Sequence, residues 1–229
     1  VKHAKSAVID PKIVPLATAL DPLLMKGMPR AITAATGMDA LTHAVEAYLN
    51  RWPHGDTKRH SLAATRMIFA NLPRACENGE DLEVREAMAL AAFYAGLAFT
   101  RAYVGYVHAF SHKLGGMYGV PHGLANAIVL PHVLDYLKDD PRTQERLADL
   151  ACAIGAGTGG ESPERLADRF VERVRELGRT VGIPERIAEL KDADVGEIAR
   201  AAMIEAHRDY PVPKNMTLVE AEALLRRMI

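Results

Sequence analysis

The chain has 229 residues, 49% hydrophobic and 25% charged, enough to bury a sizeable core in one domain or one domain plus an appendage. Its 28 basic and 29 acidic side chains leave a net charge of -1, which removes any electrostatic ground for a nucleic-acid or membrane-surface partner. No apolar run is long enough to span a bilayer and no signal peptide is recognisable, so a globular, soluble, cytoplasmic protein is expected. Cys76 and Cys152 lie far apart in helical patterns and form no metal-type or redox-type pair, in keeping with a reducing compartment.

The first stretch, KSAVIDPKIVPLATALDP, carries β-branched clusters cut by Pro11, Pro15 and Pro22, and reads as two short strands joined by a tight turn. Beyond it the periodicity is helical. Thr33 or Thr36 can cap a helix over about 37–50, Asp56 can cap the next, and Pro73 is expected to stop that one after Leu72. An alanine-rich run from Leu82 to about Arg101 predicts a central buried helix whose small residues let neighbours approach closely. A helix from Gly123 to Leu137 carries Pro131 as a kink, and an amphipathic helix over 142–154 follows. Ser162 and Pro163 open another, with Leu166, Phe170, Val174 and Leu177 on its apolar face, until Gly182 and Pro184 break it. Asp194 starts a short helix, and Thr217 with Glu220 forms a capping box for the last. The expectation is a mainly α protein: a short β segment over 1–30 and an all-helical domain over 31–229.

Four of the nine histidines fall between His108 and His132. His108 and His112 sit four apart in a helical run and leave the same face, His122 follows a glycine-punctuated turn, and upstream Asp39 and His43 repeat the four-residue spacing. A carboxylate and several imidazoles on facing helices are the raw material of a divalent metal site. Any one histidine is more often a satisfied core or surface residue, and spacing does not say which of His108 and His112 would bind. No H-E-x-x-H occurs, which argues against a zinc protease. Gly155, Gly157 and Gly160 satisfy G-x-G-x-x-G, but they follow a helical run instead of a strand and read as a helix end and connection. His132, ten residues beyond His122, lies off its face and takes a packing role by default. Arg101, Tyr103 and Tyr106 can line a substrate entrance or sit at the core edge.

Two of these stretches, ITAATGMDALTHAVEAY and GYVHAFSHKLGGMYGVPHGLANAIVLPHVLDY, resemble the two signatures of the iron-containing, or group III, alcohol dehydrogenases, in the same order. The resemblance runs from about Ala31 to the end and implies the multi-helical C-terminal domain of the dehydroquinate-synthase-like fold, with 31–229 as the metal-binding catalytic domain. It implies that 1–30 are a remnant of the nucleotide-binding half, whose α/β domain is not in this sequence. Residue by residue, it implies Asp39, His43, His108 and His122 as metal ligands and His112 as the group that moves the proton. Phe99 matches an aromatic position lining the nicotinamide and substrate pocket in some relatives. Lys113 stands where many relatives have proline, and the approach from Arg101 to Tyr106 is bulkier than the common glycine-rich version; both bear on substrate preference.

The function so implied is hydride transfer between a small alcohol or aldehyde and NAD or NADP. Fe2+ is the expected ion, with Zn2+ also acceptable to one carboxylate and three imidazoles. A homodimer is expected, and the isolated chain is expected to be inactive alone. The alternatives are a truncated, non-catalytic metal-binding helical module and a zinc-dependent relative of glycerol dehydrogenase.

Overall fold

A computed structural model describes residues 10–157 and 160–229. Among them lie nine α-helices and no strand: α1 Arg30–Leu49, α2 Gly55–Glu77, α3 Leu82–Ala102, α4 Tyr106–Tyr118, α5 His122–Leu137, α6 Pro141–Ala153, α7 Pro163–Val181, α8 Val195–Asp209 and α9 Leu218–Arg226.

The expected β segment is not found where it can be checked. Residues 10–30 contain two short 3-10 turns, Pro11–Ile13 and Pro22–Met25, and residues 1–9 of that segment lie outside the described residues. The physical reason is local. Asp10 and Asp21 each accept a hydrogen bond from the backbone N–H two residues on, at 2.9 Å in both cases, and a proline follows each aspartate. That Asx-turn chemistry, with proline unable to donate to a ladder, overrides the β-branched composition.

Helix α1 starts well before the expected Gly37, directly after Pro29, and no side chain caps it. Thr33 and Thr36 therefore lie inside the helix, where the Thr36 hydroxyl donates back to the Ile32 carbonyl at 2.8 Å. The buried guanidinium of Arg85 takes over the anchoring, donating to Thr33 Oγ1 at 2.9 Å, Gly79 O at 2.9 Å and Met28 O at 3.2 Å. Helix α2 also overrides its expected stop and carries Pro73 inside it. Its last turn buries Ala75 and Cys76 in the core, and that burial outweighs one lost backbone hydrogen bond.

Other boundaries follow local rules. Asp81 caps α3, Asp140 caps α6 ahead of Pro141, and Ser162 caps α7 ahead of Pro163. Helix α7 ends in a Schellman motif: Gly182 adopts φ 88°, its N–H reaches Arg179 O at 3.1 Å, and Ile183 N–H reaches Gly178 O at 2.9 Å. The capping box of Thr217 and Glu220 is present at the start of α9.

Helix α1 packs against α2, α3, α5 and α6, while α4 lies between α5 and α8. One apolar core, including Leu41, Ile68, Phe110, Leu130 and Phe170, runs through these contacts. Ala91, Ala95 and Ala98 of α3 are buried, as the small-residue spacing predicts. Helices α3 and α4 meet at 103°. Tyr103 at the corner takes φ 61°, and the three carbonyls of Ala102, Tyr103 and Val104 all accept from Asn50 Nδ2, at 2.8, 3.1 and 3.0 Å. The buried amide of Asn50, just past the end of α1, thus fixes where α4 begins, and with it where His108 stands. No single helix among the described residues is long and apolar enough to cross a membrane.

Candidate metal centre

Asp39 and His43 project from α1, His108 and His112 from α4, and His122 from the first position of α5. The fold brings them together. The Asp39 carboxylate oxygen Oδ1 lies 3.8 Å from His108 Nε2, 3.7 Å from His122 Nε2 and 4.0 Å from His43 Nδ1. His43 Nε2 and His108 Nε2 face each other at 2.9 Å. Among the described residues, Asp39, His43 and His108 form a group with one ligand atom each, all within 4.8 Å of one another. With metal–ligand bonds of 2.0–2.2 Å, the edges of a tetrahedral site are roughly 3.4 Å, so this spacing is the right scale for one ion.

Two close approaches create the cluster. At Gly123, next to His122, an added Cβ would meet Ala35 O of α1 at 2.5 Å and Asp39 Cβ at 3.3 Å. Only glycine lets α5 come this near to α1. At Gly105 an added Cβ would lie 3.0 Å from Glu46 Oε1, so the turn before α4 is likewise open to a carboxylate from α1.

Glu46 is the first residue that sequence reading missed. It is 5% exposed and accepts the Val107 N–H on Oε1 at 2.7 Å and His108 Nδ1–H on Oε2 at 2.6 Å. With both Glu46 oxygens accepting, the ring proton of His108 sits on Nδ1 and its Nε2 points into the cluster. A signal was available. Asp39, His43 and Glu46 stand at i, i+4 and i+7 on one helix face, and Glu46 is an acid inside an apolar run.

Asn126, one turn along α5 from His122, is the second. Its buried Nδ2 lies 2.6 Å from Asp39 Oδ1, 3.2 Å from His108 Nε2 and 3.1 Å from His122 Nε2, while its buried Oδ1 has no hydrogen-bond partner. A single donor group thus stands among converging lone pairs, and an acceptor beside them is orphaned. That is an environment short of positive charge, and the donor set suits a divalent transition ion.

Burial, followed by the neighbouring imidazole of His108, pushes the His43 pKa down to about 3, so this ring is neutral and able to ligate at ordinary pH. Phe99 of α3 stacks on the His43 ring with centroids 4.3 Å apart and planes 20° from parallel. His112 stacks on His122 at 5.4 Å, and its Nδ1 lies 2.7 Å from Glu205 Oε1 on α8. The remaining sequence candidates stand elsewhere. His132 lines a separate cavity of about 330 Å³ with Arg175 and Arg179. Tyr106 is 1% exposed, so it does not line an entrance; its hydroxyl donates to Lys214 O at 2.9 Å and accepts from Met216 N at 2.8 Å. Gly155, at φ 71°, follows α6 instead of a strand, so the glycine pattern has no dinucleotide-binding context.

Residues 33–229 match the family model described as Fe-containing alcohol dehydrogenase family, C-terminal. The chain belongs to this family. It is 40% identical over 226 residues to a 1,3-propanediol dehydrogenase of Klebsiella pneumoniae, covering 97% of this chain and 57% of that protein. It is 38% identical to an NAD-dependent methanol dehydrogenase of Bacillus methanolicus, over 88% of this chain and 53% of that one. A crystal structure of 1,3-propanediol oxidoreductase superposes with a TM-score of 0.87 at 40% identity, over 91% of this chain and 55% of that one. The chain therefore spans about half the length of the relatives it matches.

Proposed function

We propose that this chain is the metal-bearing half of an NAD(P)-dependent alcohol dehydrogenase or aldehyde reductase acting on small alcohols and aldehydes. In this reading 31–229 are the catalytic domain and 1–30 the tail end of a nucleotide-binding half. Asp39, His43, His108 and His122 would hold one divalent ion, Fe2+ by family and Zn2+ by the tolerance of the same donor set. The carrying observation is the convergence of one carboxylate and three imidazoles from α1, α4 and α5, beside a fourth imidazole that the set does not need.

The ion, when bound, supplies Lewis acidity at the substrate oxygen, and the nicotinamide supplies or accepts the hydride. The chain's own residues do the rest. Glu46 keeps the His108 lone pair directed inward. Phe99 covers one face of His43 and offers an apolar wall against which substrate and nicotinamide can pack. His112, 23% exposed at its side chain, stands at the open edge of the cluster and carries the alcohol proton between the cleft and solvent. The names of the relatives support the substrate class: one oxidises or forms a short diol, another acts on methanol with NAD.

The test is NAD+-linked oxidation of methanol and propane-1,3-diol by a polypeptide joining this chain to a nucleotide-binding half. Activity is expected to disappear on chelation, return with Fe2+ and be abolished in His122→Ala. Turnover that survives chelation and that substitution contradicts the reading.

A further inference from the structure

The carboxylate of Glu205 gathers three donors. Oε1 accepts from His112 Nδ1–H at 2.7 Å and from the Tyr210 hydroxyl at 2.7 Å, and Oε2 accepts from Lys113 Nζ at 2.5 Å. His112 and Lys113 are consecutive on α4, and both reach across to one carboxylate on α8, 93 and 92 residues further along the chain. The carboxyl group is only 14% exposed. Burial alone would raise its pKa, but the three hydrogen bonds outweigh it and hold the group at about 2, so it is ionised and can only accept.

We propose that Glu205 is the positioning residue for His112: it fixes the imidazole in the Nδ1–H tautomer and leaves Nε2 as the nitrogen available to the cleft. This inference rests on the proton-carrying role given to His112 above. Lys113 and Tyr210 complete the device. Tyr210 shares Oε1 with His112 and Lys113 holds Oε2, so both oxygens are tied in place, and the two donors stabilise the negative charge so that it orients the imidazole without taking its proton. The logic is that of a carboxylate setting the tautomer of a catalytic histidine.

Glu205→Gln discriminates this role from simple packing, because glutamine keeps the size and replaces one acceptor by a donor. The Lys113 ammonium, which can only donate, claims the amide oxygen. The amide NH2 then faces His112 Nδ1, which must accept, and the ring proton moves to Nε2. Long-range 1H–15N NMR of the Zn2+-loaded chain at mildly alkaline pH reads the tautomer directly. The parent is expected to show the Nδ1–H pattern and Glu205→Gln the Nε2–H pattern, with Zn2+ affinity changed less than about threefold because Glu205 touches none of the four proposed ligands. Glu205→Asp, which keeps the charge, is expected to retain the parent tautomer. An unchanged Nδ1–H pattern in a folded, zinc-binding Glu205→Gln chain overturns the inference and leaves the metal site standing. Failure of the parent to bind Zn2+ would instead strike at the site itself. In a polypeptide carrying the nucleotide-binding half, Glu205→Gln is expected to lower kcat by about 10²-fold with little change in KM, the scale of one lost acid–base contribution. An equal rise in KM with kcat unchanged would contradict the positioning role.

Discussion

Replacing Glu46 by glutamine should weaken divalent-metal binding by about 10–100-fold, or roughly 1.4–2.7 kcal/mol. The size of the effect follows from two contacts. Glu46 accepts from Val107 N–H at 2.7 Å and from His108 Nδ1–H at 2.6 Å, one on each oxygen. Glutamine fills the same space but has one oxygen. The backbone N–H has no alternative protonation state, so the oxygen serves Val107 and the NH2 is set against His108. His108 must then carry its proton on Nε2, the nitrogen that faces the cluster, or leave a buried donor unpaired at about 1–3 kcal/mol. Either outcome taxes ligation. The assay is Zn2+ affinity by competition with a chromophoric chelator, on protein whose circular dichroism matches the parent. Affinity within about twofold of the parent, with the fold intact, would refute the claim that Glu46 sets the His108 tautomer.

Gly123→Ala places a methyl group against the Ala35 carbonyl, where backbone cannot yield, so α5 should move off α1 and carry His122 from Asp39. A stability loss of about 1–3 kcal/mol is expected with weakened metal uptake; a denaturation midpoint and Zn2+ affinity equal to the parent would contradict it. Acid should destabilise the metal-free chain. His43 is held at about 3 against 6.5 when unfolded, so the unfolded chain binds more protons between those values and stability falls as pH drops through them. Glu205, held at about 2 against 4.5, has its contribution in full above 4.5 and loses it as pH falls toward 2. Urea midpoints measured from about pH 7 down to about pH 4 should decline, and a flat or rising series would contradict the His43 shift.

What could be read in advance divides along physical lines. Asp39 with His43, and His108 with His112, were legible because a helix converts a four-residue spacing into a shared face. Spacing could not choose between His108 and His112. In the structure the two rings are held by carboxylates on other helices, His108 Nδ1 by Glu46 on α1 and His112 Nδ1 by Glu205 on α8. Glu46 shares a face with Asp39 and His43 and was discoverable; Glu205 lies 93 residues from its partner, and no local pattern links them. The helical architecture was legible from apolar periodicity, whereas its punctuation was less so. Pro73 and the threonines of α1 do not mark helix boundaries, because burial of Ala75 and Cys76 and the anchoring by Arg85 are tertiary effects that override them. At residues 10–30 the determinant is local instead: two Asp-Pro turns prevail over β-branched composition.

The central claim is that four side chains from three helices hold one ion. Elemental analysis of the chain purified without oxygen, alongside Asp39→Ala, His43→Ala, His108→Ala and His122→Ala, tests it most directly. The account predicts one divalent transition ion per parent chain and loss of that ion in each variant that keeps its helical circular dichroism. Metal content unchanged by His122→Ala, or by any two of the four, would contradict it.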